Sequence, residues 1–434
     1  MASVKVDPVP GAIRASIRPP GSKSITNRAI VCAALAVGRS ELRGVLDSED
    51  TAVMIHAWQQ LGLHVEHDKT RRSLVVDGGG GKTPLNHAEL FVANSGTTIR
   101  FLTAALAACQ GRFRLDGVAR MRERPIADLL SALRQLGAKV ESVNAEHADC
   151  PPVLIEANGL AGGRAKVAGN ISSQFLSGLM MAAPMATSDV ELQVIGELVS
   201  VPYVAMTAEV MRAFGAEISG GEQGPFTISA AKKYQAANYS IEPDASAASY
   251  FWAAGAITGG TATVEGLSRR SLQGDVRFCE CLQQMGCKVE YGNDSVTVHG
   301  EPLTGIEVDM ADISDTVQTL AAVAMYADGP TTVRGVAHNR VKETDRISDL
   351  ARELRKLGAV VEEFHDGLKI QPPQKITPCE IETYRDHRMA MSLALVGLRC
   401  AGITLLDPDC TAKTYPNYWE DLASFTGCSV RRFD

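Results

Sequence analysis

Apolar and polar positions along this chain recur on a long period. An apolar helix end, a glycine, a small or apolar residue and a strand-like run follow one another six times, as QLGLHV, QLGAKV, AFGAEI, QMGCKV, KLGAVV and FTGCSV. The glycines are Gly62, Gly137, Gly215, Gly286, Gly358 and Gly427, spaced 69 to 78 residues apart, which marks a structural repeat. Each follows a helix-periodic stretch and precedes a β-branched one, the usual glycine stop that feeds a helix into a strand.

A second series interleaves with the first. Small, apolar helices open at polar starts in SKSITNRAIVCAALAVG, NSGTTIRFLTAALAACQG, SSQFLSGLMMAAPMA, DASAASYFWAAGAITGG, SDTVQTLAAVAMYADG and DHRMAMSLALVGLRCAG. Apolar on every side, they belong inside a domain rather than on its surface. Short strands separate them from the second helix of each unit, in SELRGV, FRLDGV, VELQVI, ATVEGL, TTVRGV and ITLLDP. Each unit therefore reads strand, buried helix, strand, second helix and strand pair.

The chain ends show how the repeats close. The last unit stops after CSVRRFD without its full strand complement, while the first twenty residues carry strand-like SVKV and AIRASIRPP and no helix. The N-terminus is thus expected to complete the C-terminal half. The predicted fold class is α/β, with two domains each of three βαβαββ repeats around buried central helices, an inside-out α/β barrel. Residues 22–242 form one domain, and residues 1–21 with 243–434 form the other, joined by two crossovers. A length of 434 residues also exceeds what a single core usually holds.

Composition changes this picture little. With 45% hydrophobic and 21% charged residues the chain is ordinary for a globular protein. A net charge of −7 argues against a nucleic-acid partner, so any anion site must be local. Ten scattered cysteines read as reduced and mostly buried; Cys279, Cys281 and Cys287 are the nearest approach to a metal set, in a pattern that looks helical. MASVKVDPVP has no leader-like apolar core, and runs such as Leu176 to Ala186 are too short to span a bilayer. The expectation is a cytoplasmic monomer with no membrane partner.

Candidate chemistry gathers at two kinds of place. The starts of the buried helices hold Lys23, Ser24, Arg28, Asn94, Gly96, Thr97, Arg100, Ser172, Ser173, Gln174, Asp244, Asp315, His387 and Arg388. Loops after the middle strands hold Arg122, Arg124, Ser200, Tyr203, Lys342, Glu343, Arg346 and Lys413. Any one of these alone reads more readily as a helix cap or a solvated cation. Their recurrence at equivalent repeat positions places them at one end of each domain, lining a cleft between the two. So many cations in an acidic protein suit a small, multiply anionic ligand. PPGSKSITNR at Pro19 to Arg28 is the first of these starts. It is not a Walker loop, because Ser22 separates Gly21 from Lys23; GGGGKT at Gly78 to Thr83 is not one either, since Val76 stands at the first glycine position, and a glycine-rich hairpin or loop is expected there. In RVKETDR the i, i+4 spacing predicts Lys342 and Arg346 on one helix face, with Glu343 adjacent.

Taken in order, GSKSITNRA, NSGTTIRFL, RERPI, SSQFLS, LVSVPY, DASAASYF, RVKETDR, YRDHRMAM and DPDCTAKTYP resemble the landmarks of the enolpyruvyl transferase family over essentially the whole chain. The resemblance implies two domains of three repeats. It also implies transfer of the enolpyruvyl group of phosphoenolpyruvate to the 5-hydroxyl of shikimate 3-phosphate, in aromatic amino-acid biosynthesis, through a tetrahedral intermediate that eliminates phosphate. Lys23, Gly96, Arg124, Gln174, Arg346, Arg388 and Lys413 would line the phosphoenolpyruvate site. Lys23, Ser24, Arg28, Ser172, Ser173, Gln174, Ser200, Tyr203, Asp315, His338 and Lys342 would bind shikimate 3-phosphate. Asp315 would be the base at the hydroxyl, Lys413 or Glu343 would handle the proton at C3, and Lys23 and Arg124 would stabilise the departing phosphate. No metal or organic cofactor is required.

Some positions depart from the family pattern. His338 stands four residues before Lys342, where relatives often carry asparagine, and Asn339 follows. Gly96 is retained where one branch carries alanine, which predicts sensitivity to glyphosate, although Ser95, Ile99 and Phe101 differ from the commonest sensitive pattern. Two rival readings are a transferase acting on UDP-N-acetylglucosamine and a non-catalytic anion-binding protein on the same scaffold. The first usually has a reactive cysteine in a loop equivalent to residues 117–124, where GVARMRER has none, and it lacks the KS pair. The second does not need Asp315, Glu343 and Lys413 together.

Overall fold

Helices of two kinds alternate along the chain, as described for residues 2–433 in a computed structural model. One compact unit, Gly21–Ile241, contains α1 (Lys23–Leu35), α2 (Glu49–Gln60), α3 (Gly96–Ala107), α4 (Ala127–Gln135), α5 (Ser173–Ala182) and α6 (Val201–Ala213). The other, Met1–Pro20 with Glu242–Asp434, contains α7 (Ala245–Thr258), α8 (Phe278–Gln284), α9 (Val317–Ala324), α10 (Ser348–Lys356), α11 (His387–Ala394) and α12 (Tyr418–Thr426). The odd-numbered helices form the cores. Every residue of α3 is buried, as is α7 from Ala245 to Ile257. Alanine, serine and threonine leave these helices narrow enough to pack side by side, and no polar face is needed where none meets water. The even-numbered helices are amphipathic: α10 buries Leu350, Ala351 and Leu354 and turns Arg352 and Arg355 outward.

Six four-stranded sheets surround the inner helices, three to a unit. In the first, Asn238–Ser240 runs parallel to Val37–Arg43, which pairs antiparallel with Ser73–Gly79, itself paired with Val65–Asp68. The parallel strand comes from the neighbouring repeat, so each sheet ties one repeat to the next. Gly78 and Gly79 belong to this sheet rather than to a loop, and only Gly80 and Gly81 turn. A Cβ on Gly78 would stand 2.3 Å from the Ala33 carbonyl oxygen, so the strand end lies directly on α1 and tolerates no side chain.

The chain ends meet in the second unit. Ser3–Val6 lies antiparallel between Ile403–Leu406 and Val430–Phe433, and Arg14–Ile17 runs parallel to Thr261–Glu265. That unit is therefore a circular permutation of the first, with both termini inside one strand pair. The chain passes between units at residues 20–21 and 241–242, one residue before the boundaries drawn from the pattern. Asp244 N–H donates to the Pro20 carbonyl at 2.8 Å, which ties the two crossover segments together.

Candidate active site

In the second unit, inner-helix starts and middle loops bring their charges together. Asp315 sits on a 3-10 turn, Ala311–Thr316, that leads into α9, and Asp386 caps α11, accepting the Arg388 N–H at 2.8 Å. RVKETDR is not the helix face its spacing suggests. It leaves a 3-10 turn at Val341, Lys342 takes ψ −146°, and α10 begins only at Ser348. Lys342 and Arg346 converge all the same, because both reach Asp315: Nζ stands 2.7 Å and an Arg346 Nη 3.1 Å from its Oδ1. Arg388 takes the other oxygen at 2.7 Å.

Arg346 is the hub of this cluster. It donates to Asp315, to Glu343 at 3.0 Å and twice to Asp386, at 2.7 and 3.2 Å. Glu343 also meets Lys413 Nζ at 3.1 Å. Four cations thus face three carboxylates, and none of the seven side chains is more than 23% exposed. Such a network is stable only if each charge finds partners. Burial pulls Lys342 below the usual lysine range against the attraction of Asp315. Burial acts on Arg346 in the same sense, but Asp386, Glu343 and Asp315 overcome it and hold the guanidinium more firmly protonated than usual.

His338 joins through Ser314, whose Oγ is 2.9 Å from Nε2 and 3.3 Å from Lys342 Nζ. Burial, reinforced by Lys342, lowers its pKa from 6.5 to about 3. The folded protein therefore holds His338 neutral, whereas the unfolded chain protonates it below 6.5. Its contribution to stability is intact above pH 6.5 and is lost as pH falls from there towards 3, by up to about 1.4 kcal/mol per pH unit. His338→Asn keeps a partner for Ser314 and titrates nothing. The gap in urea midpoint between wild type and variant should shift in the variant's favour between pH 6.5 and 4; parallel curves would refute this.

In the first unit, Arg124 lies over the start of α3. It donates to the Asn94 carbonyl at 3.1 Å and to Asn94 Oδ1 at 3.3 Å. A Cβ on Gly96 would come within 2.6 Å of an Arg124 Nη and 2.8 Å of an Arg100 Nη. Arg100 in turn donates to Gln174 Oε1 at 2.7 Å, and Asn27 Nδ2 to Thr97 Oγ1 at 2.8 Å, so the starts of all three inner helices are joined. Lys23 opens α1 and pairs with Asp50 at 3.6 Å. Ser172 caps α5, and Ser173 is buried in its first turn.

Arg28, expected to bind shikimate 3-phosphate, is buried and held by the protein's own groups. Its guanidinium donates to Thr207 Oγ1, the Ser24 carbonyl, Ser177 Oγ and the Tyr203 carbonyl, and lies over the Phe101 ring. Burial lowers its pKa to about 10. Tyr203 stands in the first turn of α6 rather than in a loop, one turn after Ser200, which is left-handed at φ 56°. Among the described residues, five of the six non-glycine residues with positive φ adjoin this chemistry: Ala93 before Asn94, Ser200, Tyr384 and Arg385 before Asp386, and Asp407 before the turn carrying Lys413. Side-chain-bearing residues adopt that region only where the surroundings compel it.

Asp50 and Asp386 escaped the reading of the sequence as site residues. Asp50 lies in the first turn of α2 and Asp386 caps α11, and an acidic helix start looks the same whether it serves the backbone or holds a cation. Among the described residues, no three or more histidine, cysteine, aspartate or glutamate side chains gather where they could hold a metal ion, and no helix is long and apolar enough to cross a membrane.

A sequence model of the family described as EPSP synthase (3-phosphoshikimate 1-carboxyvinyltransferase) matches residues 9–422, a span that includes every residue of both clusters. The chain belongs to the EPSP synthase family. Among its relatives, the chloroplastic 3-phosphoshikimate 1-carboxyvinyltransferase of Brassica napus is 47% identical over 428 residues, covering 94% of this chain and 83% of the relative. The enzyme of that name from Shewanella baltica is 45% identical over 429 residues, covering 98% and 100%. A solved EPSP synthase from Acinetobacter baumannii superposes with a TM-score of 0.83 at 27% identity, over 100% of both chains. The enolpyruvyl transferase NikO from Streptomyces tendae shares the fold, with a TM-score of 0.77 at 20% identity over 99% of this chain and 98% of its own.

Proposed function

We propose that this chain transfers the enolpyruvyl group of phosphoenolpyruvate to the 5-hydroxyl of shikimate 3-phosphate and releases phosphate, with both units contributing residues. The observation that carries the reading is the buried network around Asp315, in which three cations converge on one carboxylate beside a second couple, Glu343 and Lys413. A binding protein needs the cations alone. Addition of a hydroxyl across a vinyl bond needs a base at the oxygen and an acid at the carbon, held apart.

Asp315 takes the hydroxyl proton as the oxygen bonds to C2, and the Glu343–Lys413 couple delivers a proton to C3. In the second half, C3 gives its proton back and the bond from C2 to the phosphate oxygen breaks. Lys23 and Arg124 receive the charge that develops on the leaving phosphate. Substrate anions also draw Lys342, Arg346 and Arg388 towards themselves, which frees Asp315 oxygens for the hydroxyl. Ser24, Ser172, Ser173, Gln174, Ser200, Tyr203 and Lys342 supply donors to the acceptor substrate, and Arg28 acts by holding Ser24 and Tyr203 in place.

The test is phosphate release from phosphoenolpyruvate, measured in parallel with shikimate 3-phosphate and with UDP-N-acetylglucosamine. Turnover is expected with the first alone. Turnover with the second alone would move the chain to the sister activity, and turnover with neither would leave an anion-binding protein.

A further inference from the structure

Behind the second-unit network lies a set of polar contacts, centred on one buried carboxylate, that touches none of the proposed reacting groups. Glu353, on α10, is completely buried. One of its carboxylate oxygens accepts from Tyr384 Oη at 2.6 Å; the other accepts from the Glu382 N–H at 3.1 Å and from Lys356 Nζ at 2.7 Å. Tyr384 Oη also accepts from Arg352 at 3.1 Å, and the Arg352 guanidinium lies 5.5 Å from the centre of the Tyr384 ring. Arg352 donates onward to Asp349 at 2.6 Å, and Asp349 accepts a hydrogen bond from the Thr344 hydroxyl.

This chain of contacts has two functional ends. Thr344 lies between Glu343 and Arg346. Tyr384 and Arg385 are consecutive left-handed residues, each at φ 54°, immediately before Asp386 and Arg388. A two-residue left-handed turn built from side-chain-bearing residues does not persist without outside support. Burying a carboxylate at no exposure is likewise unfavourable unless the donors around it are worth holding. The two costs are explained together if Glu353 and Tyr384 hold the turn so that Asp386 meets Arg346 and Arg388 meets Asp315.

We propose that Glu353 and Tyr384 are positioning residues that set the aim of Arg388 and Arg346 by locking the strained Tyr384–Arg385 turn. The role rests on the anion-binding reading of the network, and it acts on binding more than on the chemical step, because the cations hold the ligand before and after bond formation. Burial, together with the Glu353 hydrogen bond, raises the Tyr384 phenol to about 12, so it remains a donor across the working pH range.

The experiment compares Tyr384→Phe and Glu353→Gln with Tyr326→Phe. Tyr326 Oη donates to the Val396 carbonyl at 2.6 Å in the same unit, so its loss removes a similar bond outside the network. Tyr384→Phe should raise KM for phosphoenolpyruvate roughly tenfold with kcat within about threefold of wild type, the expected result of losing one strong hydrogen bond that acts on binding. It should also reduce the thermal shift given by inorganic phosphate, whereas Tyr326→Phe should lower Tm and leave both KM and the phosphate shift unchanged. Glu353→Gln should move in the same direction as Tyr384→Phe; if it does not fold, Tyr384→Phe decides. An unchanged KM and phosphate shift in Tyr384→Phe, or equal changes in Tyr326→Phe, would overturn the role. Because the phosphate shift needs no turnover, a wild type without transferase activity whose phosphate shift still depends on Tyr384 would overturn the activity and keep the role.

Discussion

Asp315→Asn is expected to lower kcat with shikimate 3-phosphate by about a thousandfold, within the range that a positioned general base contributes. Asparagine keeps the shape of the side chain but cannot take the hydroxyl proton. It also cannot neutralise Lys342, Arg346 and Arg388, which all donate to Asp315 within 3.1 Å in a site where its own side chain is 16% exposed. Three cations left facing one neutral amide should cost about 3 kcal/mol of stability, the lower end for breaking a buried ion pair. Phosphate should restore part of that loss by replacing the missing charge. Steady-state kinetics and urea midpoints with and without phosphate measure both effects. A variant with near wild-type kcat at saturating substrates would remove Asp315 from the role of base.

Gly96→Ala is expected to raise KM for phosphoenolpyruvate 10- to 100-fold, roughly the value of one charge-assisted hydrogen bond. Its methyl group would stand 2.6 Å from an Arg124 Nη and 3.0 Å from its Cζ, so the guanidinium must move. The other Arg124 Nη donates to Asn94, so a shift of the guanidinium strains that contact. The same crowding should weaken inhibition by glyphosate in the variant, whereas the wild type should be inhibited in competition with phosphoenolpyruvate. Wild-type activity indifferent to high glyphosate, or equal inhibition of both proteins, would contradict the prediction.

The repeat itself was legible because its signals are local. A glycine after an apolar helical run, an all-apolar helix and a β-branched strand each record the environment of a few neighbouring residues, and six copies made the register plain. The completion of the second unit by the N-terminal strands followed from the same arithmetic, since a repeat lacking a strand must borrow one. Where two local signals compete, the reading failed. The spacing of RVKETDR matches a helix face, but the segment must turn to bring Arg346 to Asp386, and Lys342 breaks the helical path. The bonds by which Arg28 joins α1 to α6 likewise have no local signature.

The chain on its own, then, specified the elements, their sixfold order and the kinds of residue at each helix start, because propensity and burial pattern act over a few positions. Which carboxylate meets which cation was settled only by folding. Asp315 and Arg388 are 73 residues apart in the chain, and their atoms 2.7 Å apart in space. Coulomb energy depends on that separation and on the water removed around it, and neither quantity has a local signature in the sequence.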